Sequence, residues 1–317
     1  MELLIQRLFD GLYNGAIYAA LALALVAIYR STNLLNFAQG EMAMLSGYIT
    51  LVLVSPPTAI GASGVVAGTS LASYLPGHPW PAWAAVIGAV VFGAVLGIVI
   101  EFVCIRPIQN RSDLTKINVT IGLLVLLNGI TVAIWKTNSR ALASPFPDGV
   151  DDRFIVAGAR LRYSSLAVWA VLLVVVLLLG LLLLKTKAGL AFRAITSNPA
   201  SAQLVGVSVG RTTALGWGVA AGIGAMAASL IGGALVLEPF LMMKLLIFGF
   251  AAATIGGLDS PIGAIVGGVI VGMSQSLVPG YLGVPTELSL IPPLVAMVLI
   301  LLLRPSGLFG SRRVVRV

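Results

Sequence analysis

From Val168 to Leu184 the chain runs without one charged or amide side chain, and stretches of similar character recur along its length. About 20 consecutive apolar residues let a helix cross the hydrocarbon core of a bilayer, where each backbone polar group must find its partner within the helix. A β-barrel would instead show segments of about ten residues alternating apolar and polar, which these runs do not. Composition closes the argument. With 59% hydrophobic and 9% charged residues and a mean hydropathy of +1.05, the chain lacks the polar material that covers a soluble domain, where about 25% of residues are charged. The 36 glycines and 16 prolines suit membrane helices, whose backbones approach closely at small residues. The expected fold is all-α, a polytopic helix bundle of about eight to ten spans, forming one transmembrane domain over residues 1–317.

The expected spans are Leu8 to Tyr29, Leu34 to Val54, Ala82 to Cys104, Ile117 to Trp135, Leu166 to Leu184, Thr213 to Leu237, Leu245 to Leu258, Ile262 to Val278 and Leu288 to Leu303. The first follows a lone Arg7 and is long enough to be an uncleaved span rather than a signal peptide. Thr58 to Leu75, built mainly of Gly, Ala, Ser and Thr, reads equally as a span, a re-entrant segment or a loop.

The formal charge of +8 does not point to nucleic acid, because the basic residues sit at the ends of apolar stretches, as cytoplasmic loops of membrane proteins require. Three clusters belong on one side: Arg106, Arg111 and Lys116; Lys185, Lys187, Arg193 and Arg211; Arg304, Arg312, Arg313 and Arg316. Parity puts the loop with Lys136, Arg140, Arg153, Arg160 and Arg162 on the other side. These five conflict with the rule, yet the eleven residues of the three clusters outnumber them and assign the clusters, with the carboxy terminus, to the cytoplasm. The turn from Gly256 to Pro261 then lies inside, and Glu238 and the segment from Pro279 to Glu287 outside. The side of the amino terminus depends on Thr58 to Leu75.

One cysteine, Cys104, and one histidine, His78, leave no basis for a disulfide framework or a thiolate and imidazole metal site. Cys104 reads as an apolar filler and His78 as a surface residue. No GxxxxGK[ST] loop is present, so energy from ATP must come through a partner. No catalytic, cofactor-binding or metal-binding residue is expected.

The segment from Lys185 to Thr212 is too polar to span. Asn198 as cap and Pro199 at the first helical position start a short helix over Ala200 to Val205, which Gly206 ends. It serves either as a structured turn between spans or as a surface helix that docks into another protein. Among intramembrane polar residues, Glu41 stands out, with Asn36 and Gln39 nearby and no basic residue in its span. Such a group either lines a path or bonds the backbone of a neighbouring helix. Helical geometry does not bring Asn36 onto Glu41 unless the backbone is irregular near Gly40. Asn128 reads as interhelical glue or as a path residue. Glu101, about 140° around the helix from Arg106, is expected to snorkel to the interface. Glu238 and Lys244 are expected to be solvated. Gly232-Gly233, Gly256-Gly257 and Gly267-Gly268 allow close packing, and Asp259-Ser260-Pro261 after the second pair signals a tight turn.

Ala200, Ser201 and Ala202 followed by Gly206 match the Glu-Ala-Ala, three residues, Gly motif of the coupling loop in ABC importer permeases, without its glutamate. With Asn36-Phe37-Ala38-Gln39-Gly40-Glu41, Gly256-Gly257-Leu258-Asp259-Ser260-Pro261-Ile262-Gly263-Ala264 and Arg304-Pro305-Ser306-Gly307-Leu308-Phe309-Gly310, the chain resembles the shorter permease subunit of branched-chain amino acid ABC transporters over nearly its whole length. The resemblance implies a bacterial inner-membrane subunit in contact with membrane lipid. A second homologous permease, two cytoplasmic ATP-binding subunits and a periplasmic solute-binding protein complete the importer. It makes residues 185–212 the coupling loop, with Arg193, Asn198, Pro199, Ser201, Ala202, Gln203 and Gly206 as candidate ATPase-coupling residues. Asn36, Gln39, Glu41 and Asn128 are candidates for the translocation path. The expected solute is a branched-chain or similar hydrophobic amino acid, with urea or short amides as alternatives. An ion-coupled secondary transporter is the competing class, disfavoured by the few intramembrane acids and the absence of a visible repeat. An integral-membrane enzyme lacks any paired acid and base or activated nucleophile.

Overall fold

A computed structural model describes residues 2–56, 60–61, 64–65, 68–149, 151–156, 158–231, 235–283, 285 and 288–310. Gly232-Gly233, Glu287, Arg312, Arg313 and Arg316 lie outside these. Helices dominate: α1 Glu2–Thr32, α2 Gln39–Val54, α3 Thr69–Ala72, α4 Ala82–Ile100, α5 Asp113–Trp135, α6 Tyr163–Lys185, α7 Lys187–Ser197, α8 Pro199–Leu204, α9 Val209–Ile231, α10 Leu241–Gly256, α11 Pro261–Leu282 and α12 Ile291–Leu303. Two small hairpins interrupt them, β1 Ile60–Gly61 with β2 Gly64–Val65, and β3 Arg153–Val156 with β4 Ala159–Arg162. Among the described residues six helices are long and apolar enough to cross a membrane, and α2, α10 and α12 are shorter apolar helices of 16, 16 and 13 residues.

The expected spans recur with shifted edges. α2 starts at Gln39 rather than Leu34: Asn33 takes a left-handed φ of 56°, and the Asn36 side chain accepts the Ala38 N–H at 3.0 Å, so the backbone turns before the helix can begin. The sixth span starts at Val209, and Leu237, expected within it, instead pairs with Arg140 through two backbone hydrogen bonds of 2.9 and 2.8 Å. Between Thr58 and Leu75 the described residues form the first hairpin and the four-residue α3, not a spanning helix.

α1 and α9 form the centre. Ala16 to Ile28 are buried on every face of α1, as expected of a helix apolar all round in the core of a bundle. α4, α5, α6 and α12 lie outside and turn Val91, Val95, Val125, Leu177, Leu178, Leu299 and Leu302 outward, an apolar surface that lipid tails solvate as well as a protein core does. Glycines set the helix spacing. A Cβ on Gly272 would lie 2.3 Å from the Gly11 carbonyl, one on Gly267 would lie 2.0 Å from the Ala252 carbonyl, and one on Gly97 2.5 Å from the Trp217 carbonyl. The contacts α1 with α11, α10 with α11 and α4 with α9 are therefore backbone against backbone.

The connections sort into two ends. At one, Asn33 donates to the Thr196 carbonyl, Arg106 to the Gly210 carbonyl, and Leu308 and Phe309 to Ile255 and Gly256. This end carries all three basic clusters as far as they are described. At the other, Arg140 pairs with Leu237 and the Arg160 N–H donates to Gln6.

Candidate functional site

The segment from Lys185 to Thr212 folds into two helices. Thr186 caps α7 by accepting the Gly189 N–H at 3.2 Å, and Gly189 permits the reversal, since a Cβ there would lie 2.2 Å from the Leu183 carbonyl. α7 is amphipathic: Phe192 and Ile195 are buried while Arg193 faces an open cavity of about 590 Å³ shared with Arg30, Asn33, Asp259 and Ser306. The expected short helix is α8. Asn198 accepts the Ser201 N–H at 3.0 Å, and Pro199 occupies the first turn. At its end Gly206 adopts φ of 87°, and the bonds Val207 N–H to Ala202 and Gly206 N–H to Gln203, 2.9 and 3.0 Å, complete a Schellman motif. This explains the Ala, three residues, Gly pattern: Ala202 is buried against Ile195 and Val209, and Gly206 supplies the left-handed turn. Ser201 and Gln203 are exposed. The tip beyond them is apolar, with Leu204 89% and Val205 78% exposed. It lies outside the span-length helices, at the basic end.

Asn36, Gln39, Glu41 and Asn128 form two separate hydrogen-bonded pairs, Asn36 with Gln39 and Asn128 with Glu41. Asn36 donates to Gln39 Oε1 at 3.3 Å, and Gln39 donates to the Ala220 carbonyl of α9 at 2.9 Å. Asn128 of α5 donates to Glu41 Oε2 at 3.1 Å and to the Pro239 carbonyl at 3.0 Å. Asn36 and Glu41 do not meet. The first three residues are at most 1% exposed, and the cavities at either end of the bundle are lined by other side chains. The first pair ties α2 to α9, and the second ties α2 to α5 and to the segment just before α10. Glu41 Oε1 has no partner among the described residues.

The expectation for Glu101 is corrected. Its carboxylate is fully buried and paired with Arg106 at 2.7 Å, and it accepts the Thr213 hydroxyl at 2.8 Å. The cause is local. Residues Glu101–Ile105 form a π-helical turn in which the Arg106 N–H bonds the Glu101 carbonyl. That i to i+5 pattern widens the turn and places residues five apart on one face. Arg106 also donates to the Gly210 carbonyl at 2.9 Å, clamping the end of α4 to the first turn of α9, which follows α8 directly. Glu238 and Lys244 pair with each other at 3.1 Å near the surface. His78 is half-buried, its Nε2 3.3 Å from the Val52 carbonyl.

The sequence motifs converge on α10. Phe37 packs against Phe250 with ring centroids 5.3 Å apart, and a Cβ on Gly40 would lie 3.1 Å from the Met242 carbonyl. Leu308 and Phe309 cap the last carbonyls of α10 with bonds of 2.8 and 2.9 Å, covering the tight turn at Gly257, whose φ is 105°. Sequence reasoning missed one polar group. Arg7, Asp10, Tyr13, Asn14 and Ile17 share a face of α1 and, with Arg160, Arg162 and Gln275, line an open cavity of about 480 Å³ at the end opposite α8. The signal was present: Asp10 and Asn14, four residues apart, lie inside the expected first span, and Gln275 inside the eighth.

Residues 7–302 match the family model described as branched-chain amino acid transport system / permease component. Among curated proteins, the chain is 27% identical to the high-affinity branched-chain amino acid transport system permease protein LivH of Escherichia coli strain K12, over 99% of this chain and 97% of that one. It is 25% identical to BraD of Pseudomonas aeruginosa, over 99% and 98%. With a probable branched-chain amino acid transport permease protein of Methanocaldococcus jannaschii it shares 28% identity over 92% and 87%.

Proposed function

The chain belongs to the family of branched-chain amino acid transport permease components, and from that premise we propose that it is one membrane subunit of an ATP-driven importer of branched-chain or similar hydrophobic amino acids. The observation that carries the ATP-driven part is α8. A six-residue helix capped at both ends, anchored by the buried Ala202 and presenting Leu204 and Val205 to water beside the basic end, is a rigid apolar knob. Exposed apolar side chains outside the membrane mark a protein partner, and a knob on the chain between α6 and α9 transmits a partner's movement to both. The partner is a cytoplasmic ATP-binding subunit, present twice in the assembly. A second homologous permease and a periplasmic solute-binding protein complete it.

The basic end, with the carboxy terminus, faces the cytoplasm of a bacterial inner membrane. Nine apolar helices among the described residues then put the amino terminus outside. The test is reconstitution. The complex in liposomes should take up radiolabelled leucine only with ATP inside the compartment that bears α8, and this chain alone should take up none. Uptake by the chain alone under an ion gradient would overturn the reading.

A further inference from the structure

At the end opposite α8, α1, α11 and the hairpin strand β4 surround a cavity of about 480 Å³, within the roughly 300–1,000 Å³ of small-molecule sites. Along α1 its lining runs from Arg7 through Asp10, Tyr13 and Asn14 to Ile17, ten residues or about 15 Å of helix. The polar part of this strip, Arg7 to Asn14, is about 10 Å long; on a membrane-spanning helix it is tolerated where it lines water, and intramembrane ionisable groups mark solute routes by default. Arg160 and Arg162 close the mouth, Gln275 lies on the α11 wall, and Phe9, Leu161 and Leu235 add apolar surface.

The charges are uncommitted. The three ion pairs among the described residues join Arg106 to Glu101, Lys116 to Asp113 and Lys244 to Glu238. Arg7, Arg160 and Arg162 have no carboxylate partner among them. Asp10 accepts a hydrogen bond only from Gln6 among these residues, at 3.1 Å. The cavity thus offers guanidinium groups for a carboxylate, one carboxylate for an ammonium, and an apolar wall. Its floor is shut: Tyr18 donates to Gln275, and α1 and α11 touch at Gly268 and Gly272 so closely that no Cβ fits.

We propose that this cavity is a holding site for a free zwitterionic α-amino acid with an apolar side chain, entered from outside and closed below by the α1–α11 contact. The inference rests on the importer reading and names where the solute waits. A bare anion does not need Asp10, and a flat protein surface does not need a cleft about 15 Å deep. Arginine binds carboxylate as a bidentate fork, so its loss weakens the carboxylate contact in particular.

The experiment uses the assembled complex without its solute-binding protein and measures equilibrium binding of tritiated leucine. Saturable binding is expected. Leucine methyl ester, which lacks the carboxylate, should compete at least about tenfold less well than leucine. Arg7→Gln and Arg160→Gln should each weaken binding about tenfold, the effect of one charge-assisted contact. Arg160 is exposed on a hairpin, so its variant tests the site without endangering the fold, and Arg160→Lys should lie between. No saturable binding, equal competition by the ester, or unchanged affinity in both glutamine variants would overturn the proposal. So would variants that weaken only docking of the solute-binding protein, since the guanidinium groups would then serve that protein's acidic side chains. ATP-driven leucine uptake by the unaltered complex is the separate control: if it fails, the importer reading fails, and if it holds while the cavity variants bind normally, this inference alone falls.

Discussion

Two buried carboxylates decide different things. Glu41 receives Asn128, which also holds the Pro239 carbonyl, so its removal frees a half-buried donor where α2, α5 and the segment before α10 meet. Leaving a buried polar group unsatisfied costs about 1–3 kcal/mol. Glu41→Gln retains an acceptor for Asn128 and should leave both the amount of assembled protein and the uptake rate within about twofold of the parent, whereas Glu41→Leu should lower the yield of monodisperse protein in size-exclusion chromatography. Loss of uptake in a well-assembled Glu41→Gln protein would place Glu41 on the translocation path. Glu101→Leu leaves Arg106, whose side chain is 34% exposed, without its carboxylate and the Thr213 hydroxyl without its acceptor; a lower midpoint of thermal unfolding in detergent is expected, with Glu101→Gln in between. The sequence showed that Glu41 and Asn128 need partners, because each is a polar group inside an apolar run. It could not pair them, since the contact joins residues 87 positions apart and depends on helix packing. Glu101 was misread for a different reason: ideal helix geometry separates residues 101 and 106, and nothing in the residues Glu101–Ile105 announces the π-turn that unites them.

At the scale of elements, what was legible followed local chemistry. Asn-Pro before Ala-rich residues and Gly after them gave α8 its start and stop, and the structure places cap, first turn and left-handed glycine at those positions. α7 was missed, because its amphipathic pattern runs over only 11 residues inside a polar connection, too short to stand out from a loop. The conformation of Gly206 supports a direct test. A β-branched residue there is forced to positive φ at a cost of about 1 kcal/mol or more, while the space around it is open, so no clash adds to the strain. Gly206→Val should reach the membrane in normal amount yet show ATP hydrolysis with reduced uptake, and a cysteine at Gln203 should cross-link to the ATP-binding subunit. Normal uptake without any cross-link would make α8 a mere connection. The α1–α11 contact makes the opposite demand. Gly272→Leu sets a side chain where even a Cβ lies 2.3 Å from the Gly11 carbonyl, so the helices must separate, and a sharp fall in membrane-extracted protein is expected.

For the whole molecule, the question is which end faces which compartment. Counting basic residues left a conflict, because five lie in the segment from Lys136 to Arg162 that parity assigns outside. The structure shows how three of them, Arg140, Arg160 and Arg162, are held. Arg140 is 7% exposed and paired through its backbone with Leu237, and Arg160 and Arg162 stand on a hairpin at the mouth of a cavity. They are placed by a folded loop, whereas the rule counts charges in simple short loops flanking the spans. At the other end, the contacts of Asn33 with Thr196, Arg106 with Gly210 and Leu308 with Ile255 gather every segment expected inside, so the sidedness of one fixes that of all. Two probes therefore suffice. A single cysteine replacing the exposed Ser201 on α8 should react with a membrane-impermeant maleimide only after the cells are opened, and one replacing the exposed Asp151 should react in intact cells. Labelling of both from outside would break the two-ended arrangement, and the reverse pattern would invert the molecule and place α8 where no cytoplasmic ATP-binding subunit could reach it.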